Sequence, residues 1–298
     1  MRMQYSTLGK SELKISEIGL GAMSLVQGHD GTNSYIIKHA QELGINYLDT
    51  SDLYDKGKNE ELIGRLLEGD RDKWILASKV GNKWKEDGSG WDWAPSKSYI
   101  LKSVDESLSR LRTDYLDLYQ LHGGTIEDPF DEIVEAFELL VQQGKIRYYG
   151  ISSIRPKVFL NYAKNSQIVS DMMQYSIFDR RPEAYFQELA DCGVSVLARG
   201  TVAQGLLLKK AAQKYLSYSV HEVLEIQRAI SEIANSLGVN NLALALKYPL
   251  LHHPVACSVL GIRTREQINS LDLVVDEMNK IKLQDYQELL ANMPEVSY

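Results

Sequence analysis

Asn46-Tyr-Leu-Asp-Thr-Ser-Asp-Leu-Tyr54 ends a short apolar run on a carboxylate, Asp49, and places a tyrosine, Tyr54, five residues later. Two other segments end alike: Trp74-Ile-Leu-Ala-Ser-Lys79 delivers a lysine and Tyr115-Leu-Asp-Leu-Tyr-Gln-Leu-His122 a histidine. Four ionisable groups of different chemistry therefore sit at the C-terminal ends of three expected strands. That is where parallel α/β barrels keep their active sites.

The rest of the chain follows the same pattern. Strand-like runs alternate with helical ones from about residue 17 to about residue 275, without repeats or low-complexity segments. Glu17-Ile-Gly-Leu-Gly21 gives the first barrel strand. Before it, short alternating segments around a Leu8-Gly-Lys-Ser11 turn read as an N-terminal β-hairpin closing the barrel floor. Residues 34–43 carry Ile36, Ile37, Ala40 and Leu43 at helical spacing and stop at Gly44. Asn59 is expected to cap the next helix, whose first turn holds Glu60 and Glu61, where carboxylates meet the positive end of the dipole. Ser96 opens a helix that turns Ile100, Val104, Leu108 and Leu111 inward, and Asp128-Pro129 starts another. Residues 146–152, 168–174, 194–198 and 257–260 supply further strands. Helices are expected at 158–163, 183–192 and, after an insertion, 241–250, with Thr264 opening the last.

Eight strands alternating with eight helices predict a closed (β/α)8 TIM barrel, a single domain over residues 1–298. An open doubly wound sheet alternates too. No Gly-x-Gly-x-x-Gly follows the first strand, however, and Gly19-Leu-Gly21 supplies only part of that fingerprint.

Composition narrows the function. The chain is 44% hydrophobic and 24% charged, the balance of a globular protein with a sizeable core. Its formal net charge of −7 leaves no electrostatic footprint for nucleic acid or an anionic membrane. The first ten residues hold no apolar run of signal-peptide length, and no segment approaches the roughly 18 apolar residues of a membrane span, so a cytoplasmic protein is expected. Cys192 and Cys257 lack metal-type spacing, and no His/Cys/carboxylate cluster suggests a metal.

Alternate residues of a strand share a face, so Asp49 and His122 are both expected to point into the barrel mouth. A lysine ammonium beside a tyrosine favours the phenolate and makes the hydroxyl a better proton donor, and Lys79 is placed to do this for Tyr54. Asp49 would hold that lysine charged and oriented. A neutral His122 would position a carbonyl oxygen or relay a proton. Any one of these residues is commonly structural; the four together suit carbonyl reduction.

The order Asp49, Tyr54, Lys79, His122, set in Leu-Asp-Thr-Ser-Asp-Leu-Tyr, Ala-Ser-Lys-Val and Tyr-Gln-Leu-His-Gly, resembles the aldo-keto reductase family. The resemblance extends from Gln4-Tyr-Ser-Thr-Leu-Gly9 through Tyr149-Gly-Ile-Ser-Ser153 and Met173-Gln-Tyr175 to Leu260-Gly-Ile-Arg263. Leu197-Ala-Arg199 and Gly-Ile-Arg bring it nearest to the bacterial reductases and the potassium-channel β-subunits. It implies a barrel that binds NADP(H) without a Rossmann domain, with Tyr54 as general acid supported by Asp49, Lys79 and His122.

Cofactor residues carry over by motif. Ser152 and Ser153 are similar to the pair that holds the nicotinamide carboxamide, Gln174 to its amide partner, and Arg199 to the residue stacked on the ring. At Ser153 asparagine is common, and a hydroxyl offers one donor where the amide offers two. Gly21, Gly200, Gly205 and Gly261 would let backbone approach the cofactor, although turn geometry explains Gly200 and Gly205 as well. Thr264 and Gln267 form a Thr-x-x-Gln capping box, and the flanking Arg263 and Arg265 would grip an adenosine 2′-phosphate. Where relatives often carry Glu-Asn, this chain has Ser270-Leu271.

Trp84, Trp91 and Trp93 fall in one glycine-broken loop after the Lys79 strand, expected to wall a small-molecule carbonyl substrate or to pack on the rim or a second subunit. Arg180 and Arg181 leave substrate, subunit and capping roles open. The reading is an NADPH-dependent reductase of aldehydes and ketones. Its rivals are a channel-β-like redox sensor with incidental turnover and a barrel lyase using Lys79 as a Schiff-base amine.

Overall fold

The computed structural model describes residues 3–208, 210–294 and 296. Eight parallel strands close into a barrel: β3 (Ile18–Gly21), β4 (Tyr47–Asp49), β5 (Ile75–Val80), β8 (Leu116–Leu121), β9 (Ile146–Ile151), β10 (Ser170–Gln174), β11 (Ser195–Arg199) and β12 (Val255–Gly261). Their order around the barrel follows the chain, with β12 returning to β3. Outside the barrel, β1 (Tyr5–Thr7) and β2 (Lys14–Ser16) form an antiparallel hairpin, as do β6 (Asn82–Trp84) and β7 (Trp91–Trp93).

The connecting helices are α1 (Asp30–Glu42), α2 (Lys58–Leu66), α3 (Lys97–Leu111), α4 (Phe130–Gln142), α5 (Pro156–Asn165), α6 (Phe186–Asp191), α7 (Val220–Leu237), α8 (Asn241–Leu250) and α9 (Arg265–Asn269). Then follow α10 (Leu271–Glu277) and α11 (Gln287–Asn292). The expected insertion before α8 contains α7, which starts on a Ser219–Glu222 capping box. Ser96 caps α3 by accepting from the Tyr99 N–H, as the sequence suggests.

Two layers of core result from the period-2 and period-3.6 patterns. Strand residues that face outward pack under the helices. Those that face inward, among them Tyr47, Ala77, Leu118, Met172, Leu197 and Cys257, fill the barrel itself. The N-terminal hairpin adds Leu8, Leu13 and Ile15 to that inner cluster and so closes the floor. Gly9 carries the hairpin turn at φ +52°, and a Cβ there would lie 2.2 Å from the Val169 carbonyl oxygen. Gly19 is required for another reason: its Cβ would meet the Tyr47 ring at 2.6 Å in the crowded interior. With the floor plugged, the cleft opens at the C-terminal ends of the strands.

Asn59 does not cap α2. It lies inside the helix, buried, donating to the carbonyls of Ala22 and Leu25 and accepting from the Thr50 hydroxyl at 2.6 Å. Two loops offer more hydrogen bonds to an amide than one helix end does, and Gly57 in a left-handed conformation starts the helix instead. Glu60 likewise does more than meet a dipole. It is fully buried, accepts from the Ser78 hydroxyl at 2.5 Å, and pairs with Arg110 of α3 through Nε at 2.8 Å and Nη2 at 2.7 Å.

Removing one partner of such a pair strands a charge in the interior. Arg110→Met is therefore expected to lower stability by about 3–5 kcal/mol. A lower urea midpoint at unchanged m would register it, since the surface exposed on unfolding stays the same; an unaltered midpoint would show that Glu60 needs no countercharge.

Candidate active site

The register of β4, β5 and β8 decides what meets at the open end. Asp49 lies beside Ala77, two residues before Lys79, and Lys79 lies beside Gln120, so the side chains of Lys79 and Gln120 reach back to the carboxylate inside the barrel. Lys79 is 1% exposed, which makes an unpaired ammonium there untenable. Its three protons go to Asp49 Oδ2 at 2.5 Å, the Thr50 carbonyl at 2.8 Å and the Tyr54 hydroxyl oxygen at 3.2 Å. Gln120 Nε2 donates to the other Asp49 oxygen at 3.1 Å. Burial opposes the charge on Lys79, but Asp49 and Tyr54 more than offset it, so the ammonium is held above the usual lysine value.

Because Tyr54 accepts from Lys79, its own proton is left for the cleft. His122 stands edge-on to the Tyr54 ring with centroids 6.0 Å apart. Its backbone is fixed by Val80 below and by Asn82 Nδ2, which donates to the His122 carbonyl at 3.0 Å. Burial first, then Lys79 and Arg199, press the imidazole down to about 3, so the ring is neutral at ordinary pH. The tetrad expected from the sequence is thus assembled.

It opens into a cleft of about 740 Å³. Of the remaining expected residues, Gly21, Ser152, Arg199, Gly200, Gly261, Trp91 and Trp93 line it. Ser153, Gln174, Gly205, Trp84 and the segment from Arg263 to Gln267 do not. Ser153 is buried, with its hydroxyl accepting from the Arg155 N–H and its own N–H donating to Asp171. Burial holds that Asp171 carboxyl well above the usual range. Gln174 spends its amide on Asp179 at 2.9 Å and Tyr215 at 3.4 Å. Thr264 and Gln267 form the expected capping box at the start of α9. Arg265 lies over the Tyr35 ring at 4.8 Å and donates to the Gly31 carbonyl, while Arg263 is exposed.

The tryptophan segment is partly a β-hairpin rather than a plain loop, because Lys83, Asp92 and the tryptophans alternate across β6 and β7. Trp84 is its strut, donating to the Leu53 carbonyl at 3.2 Å beneath Lys56. Trp93 is fixed by donating to Asp128 at 2.7 Å, and Trp91 is half exposed over the cleft. Arg181 pairs with Asp179 through two contacts of 2.7 Å, and Arg180 leans on Glu183 at 3.5 Å. Sequence reasoning missed Asn82, Arg155, Thr125 and Met172 in the lining. It also passed over Ser51 and Asp52, although both lie inside the motif that carries Asp49 and Tyr54.

A closed barrel with a buried ion pair, a tyrosine and a neutral histidine at its open end defines an enzyme-type cleft. The profile of the Aldo/keto reductase family matches residues 17–287. The chain is 50% identical to the uncharacterized oxidoreductase YqkF of Bacillus subtilis over 275 residues, 89% of each chain. It is similar to the holo structure of aldo-keto reductase AKR11C1 from Bacillus halodurans, with a TM-score of 0.92, 45% identity and 100% and 98% of the two chains covered. It is 28% identical to the aldo-keto reductase yakc [NADP(+)] of Schizosaccharomyces pombe over 78% of this chain and 76% of that one. The chain belongs to the aldo/keto reductase family, a carbonyl-reducing class of oxidoreductases. No described helix is long and apolar enough to cross a membrane.

Asp52 supplies a test of this electrostatics. Burial, then the neighbouring Glu60, raises its carboxyl to about 8. The native state therefore keeps a proton that the unfolded chain has released, and stability falls as pH rises from about 4 toward 8. Asp52→Asn cannot ionise. Its melting temperature should gain on the wild type progressively from pH 5 to pH 9, with a limiting slope of about 1.4 kcal/mol per pH unit inside the window; a constant gap would contradict the raised carboxyl.

Proposed function

We propose that the chain works as a single barrel domain that reduces aldehydes and ketones with NADPH. The observation that carries this is the Tyr54 hydroxyl, which accepts from Lys79 and so can only donate toward the cleft. When bound, a reduced nicotinamide supplies the hydride. Tyr54 then gives its proton to the carbonyl oxygen, Lys79 stabilises the phenolate left behind, and Asp49 keeps Lys79 charged and aimed. His122, neutral, orients the same oxygen. No covalent intermediate is needed, and the Lys79–Asp49 pair disfavours Schiff-base chemistry.

The lining fits an anionic dinucleotide. Among the described residues, Arg155 and Arg199 are the guanidiniums of the cleft and the paired Asp49 is its lining carboxylate, and Gly21, Gly200 and Gly261 leave room for close approach. Ser152 and Arg199 would meet the nicotinamide end, and Arg263, Thr264 and Arg265 the adenosine phosphate. The name of the fission-yeast relative points to the same cofactor. The reductase name of the Bacillus halodurans structure supports turnover as the reading over a channel-β-like sensing role.

Tyr54→Phe should keep the fold and the cofactor affinity but lose roughly 100- to 10,000-fold in turnover of an unactivated aldehyde, followed as NADPH oxidation. Wild-type-like turnover by the variant would remove Tyr54 from its role.

Cofactor choice is tested at Arg263. A charged hydrogen bond is worth roughly 1.5–3 kcal/mol, so one made only to the 2′-phosphate gives roughly 10- to 150-fold tighter binding of NADPH than of NADH. Arg263→Ala should erase much of that gap, mainly in the NADPH dissociation constant, and the gap should narrow with salt. Equal affinities in the wild type would sink the assignment while leaving the reductase reading intact.

A further inference from the structure

Ser51 Oγ is buried among three partners, none of them part of the Lys79 cluster. It accepts from the Leu53 N–H at 3.1 Å, lies 3.2 Å from Asp52 Oδ1 and lies 3.1 Å from His122 Nδ1. A hydroxyl has one proton and two lone pairs. With one lone pair taken by Leu53, the contacts to Asp52 and His122 must be one donation and one acceptance. Two arrangements follow when the proton of a neutral Asp52 sits on Oδ1, the oxygen that faces Ser51. In the first, Asp52 is a neutral carboxyl donating to Ser51, and Ser51 donates to His122 Nδ1, so the ring carries its proton on Nε2. In the second, Asp52 is a carboxylate accepting from Ser51, and Nδ1–H donates to Ser51, so Nε2 is bare.

We propose that Ser51 and Asp52 set the tautomer of His122: the Asp52–Ser51–His122 chain presents an Nε2–H donor to the cleft while Asp52 is neutral and reverses when Asp52 ionises. The reversal is balanced in protons. The Asp52 proton passes to Ser51, the Ser51 proton to Nδ1, and the Nε2 proton leaves through the cleft, so the whole chain loses one. Because His122 stays neutral, its tautomer is the property left to be set, and a ring nitrogen that has lost its proton cannot donate to a carbonyl oxygen.

The surroundings keep the chain in its first arrangement at neutral pH. Asp52 is faced by Glu60 of α2, by Tyr99 and Arg110 of α3, by Tyr119 of β8 and by the Leu53 N–H. Glu60 takes up Arg110 directly, and burial together with Glu60 holds the Asp52 proton on to about pH 8. His122 is faced by Lys79, Tyr54 and Arg199, whose cations disfavour a second proton but not either neutral tautomer.

The role of the histidine rests on the reductase reading; its tautomer does not, so the two fail separately. The decisive measurement is a long-range ¹H–¹⁵N correlation spectrum of the ¹⁵N-labelled protein from pH 6 to pH 10, which reports which ring nitrogen is protonated. His122 should carry Nε2–H below about pH 8 and Nδ1–H above it. Asp52→Asn, which cannot ionise, should hold one tautomer throughout, and Ser51→Ala should abolish the transition. One tautomer across the range in the wild type, or an unmoved transition in Asp52→Asn, would overturn the proposal. In turnover, kcat/KM for an aldehyde should fall about tenfold more in the wild type than in Asp52→Asn between pH 7 and pH 9, as titration of one group near 8 requires. Parallel profiles would count against the chain acting on the reaction.

Discussion

A charged lysine inside a barrel is expensive, and the arrangement that makes Lys79 tolerable dictates the rest of the site. An ammonium has three protons and no acceptor, so each proton left unpaired in the interior carries a desolvation penalty. Asp49, the Thr50 carbonyl and Tyr54 take all three. These acceptors come from one strand end and the turn after it, which means β4 must finish beside β5 at a fixed height. The turn itself must then fold back over the lysine. The hydrogen bonds that hold it, from Thr50 to Asn59 and from Asn59 to Ala22 and Leu25, tie the turn to α2 and to the end of β3. Charge satisfaction at one nitrogen thus propagates into the packing of three β/α units.

That dependence explains what could be read in the sequence. Strand ends carrying Asp49, Lys79 and His122 were legible because period-2 runs stop visibly, and a parallel barrel places all such ends on one face. Helix starts were legible where a side chain caps its own helix, as Ser96 and Thr264 do. Asn59 was misread because the same residue type that caps also bridges loops, and the bridging partners lie 34 and 37 residues away. The β6–β7 hairpin was hidden by its short strands and by tryptophans on both arms, which obscure alternation.

The cofactor-side residues show a further limit. Motif likeness identifies residue types at strand ends, but not how each side chain spends its hydrogen bonds. Ser153 turns its hydroxyl into the local turn, and Gln174 gives its amide to Asp179, an acid that also anchors Arg181. Both bonds are made across positions that carry no pattern of their own. Ser51 and Asp52 were silent for the same reason, since a small hydroxyl and an acid in a polar turn are ordinary until the histidine from β8 is brought beside them.

The cleft also differs in charge from the protein around it. At the centre, Lys79 and Asp49 form a buried pair and His122 stays neutral, held so by burial and by the positive charges of Lys79 and Arg199. Arg155 and Arg199 add two guanidiniums to the lining, with Arg199 close enough to act on Asp49 and His122, on a protein whose overall charge is −7. A positive mouth on a negative body focuses anions to one location. In the proposed reading the guanidiniums of the lining draw an anionic dinucleotide into the cleft, while the buried Lys79–Asp49 pair holds the Tyr54 hydroxyl so that its proton is given to the substrate oxygen.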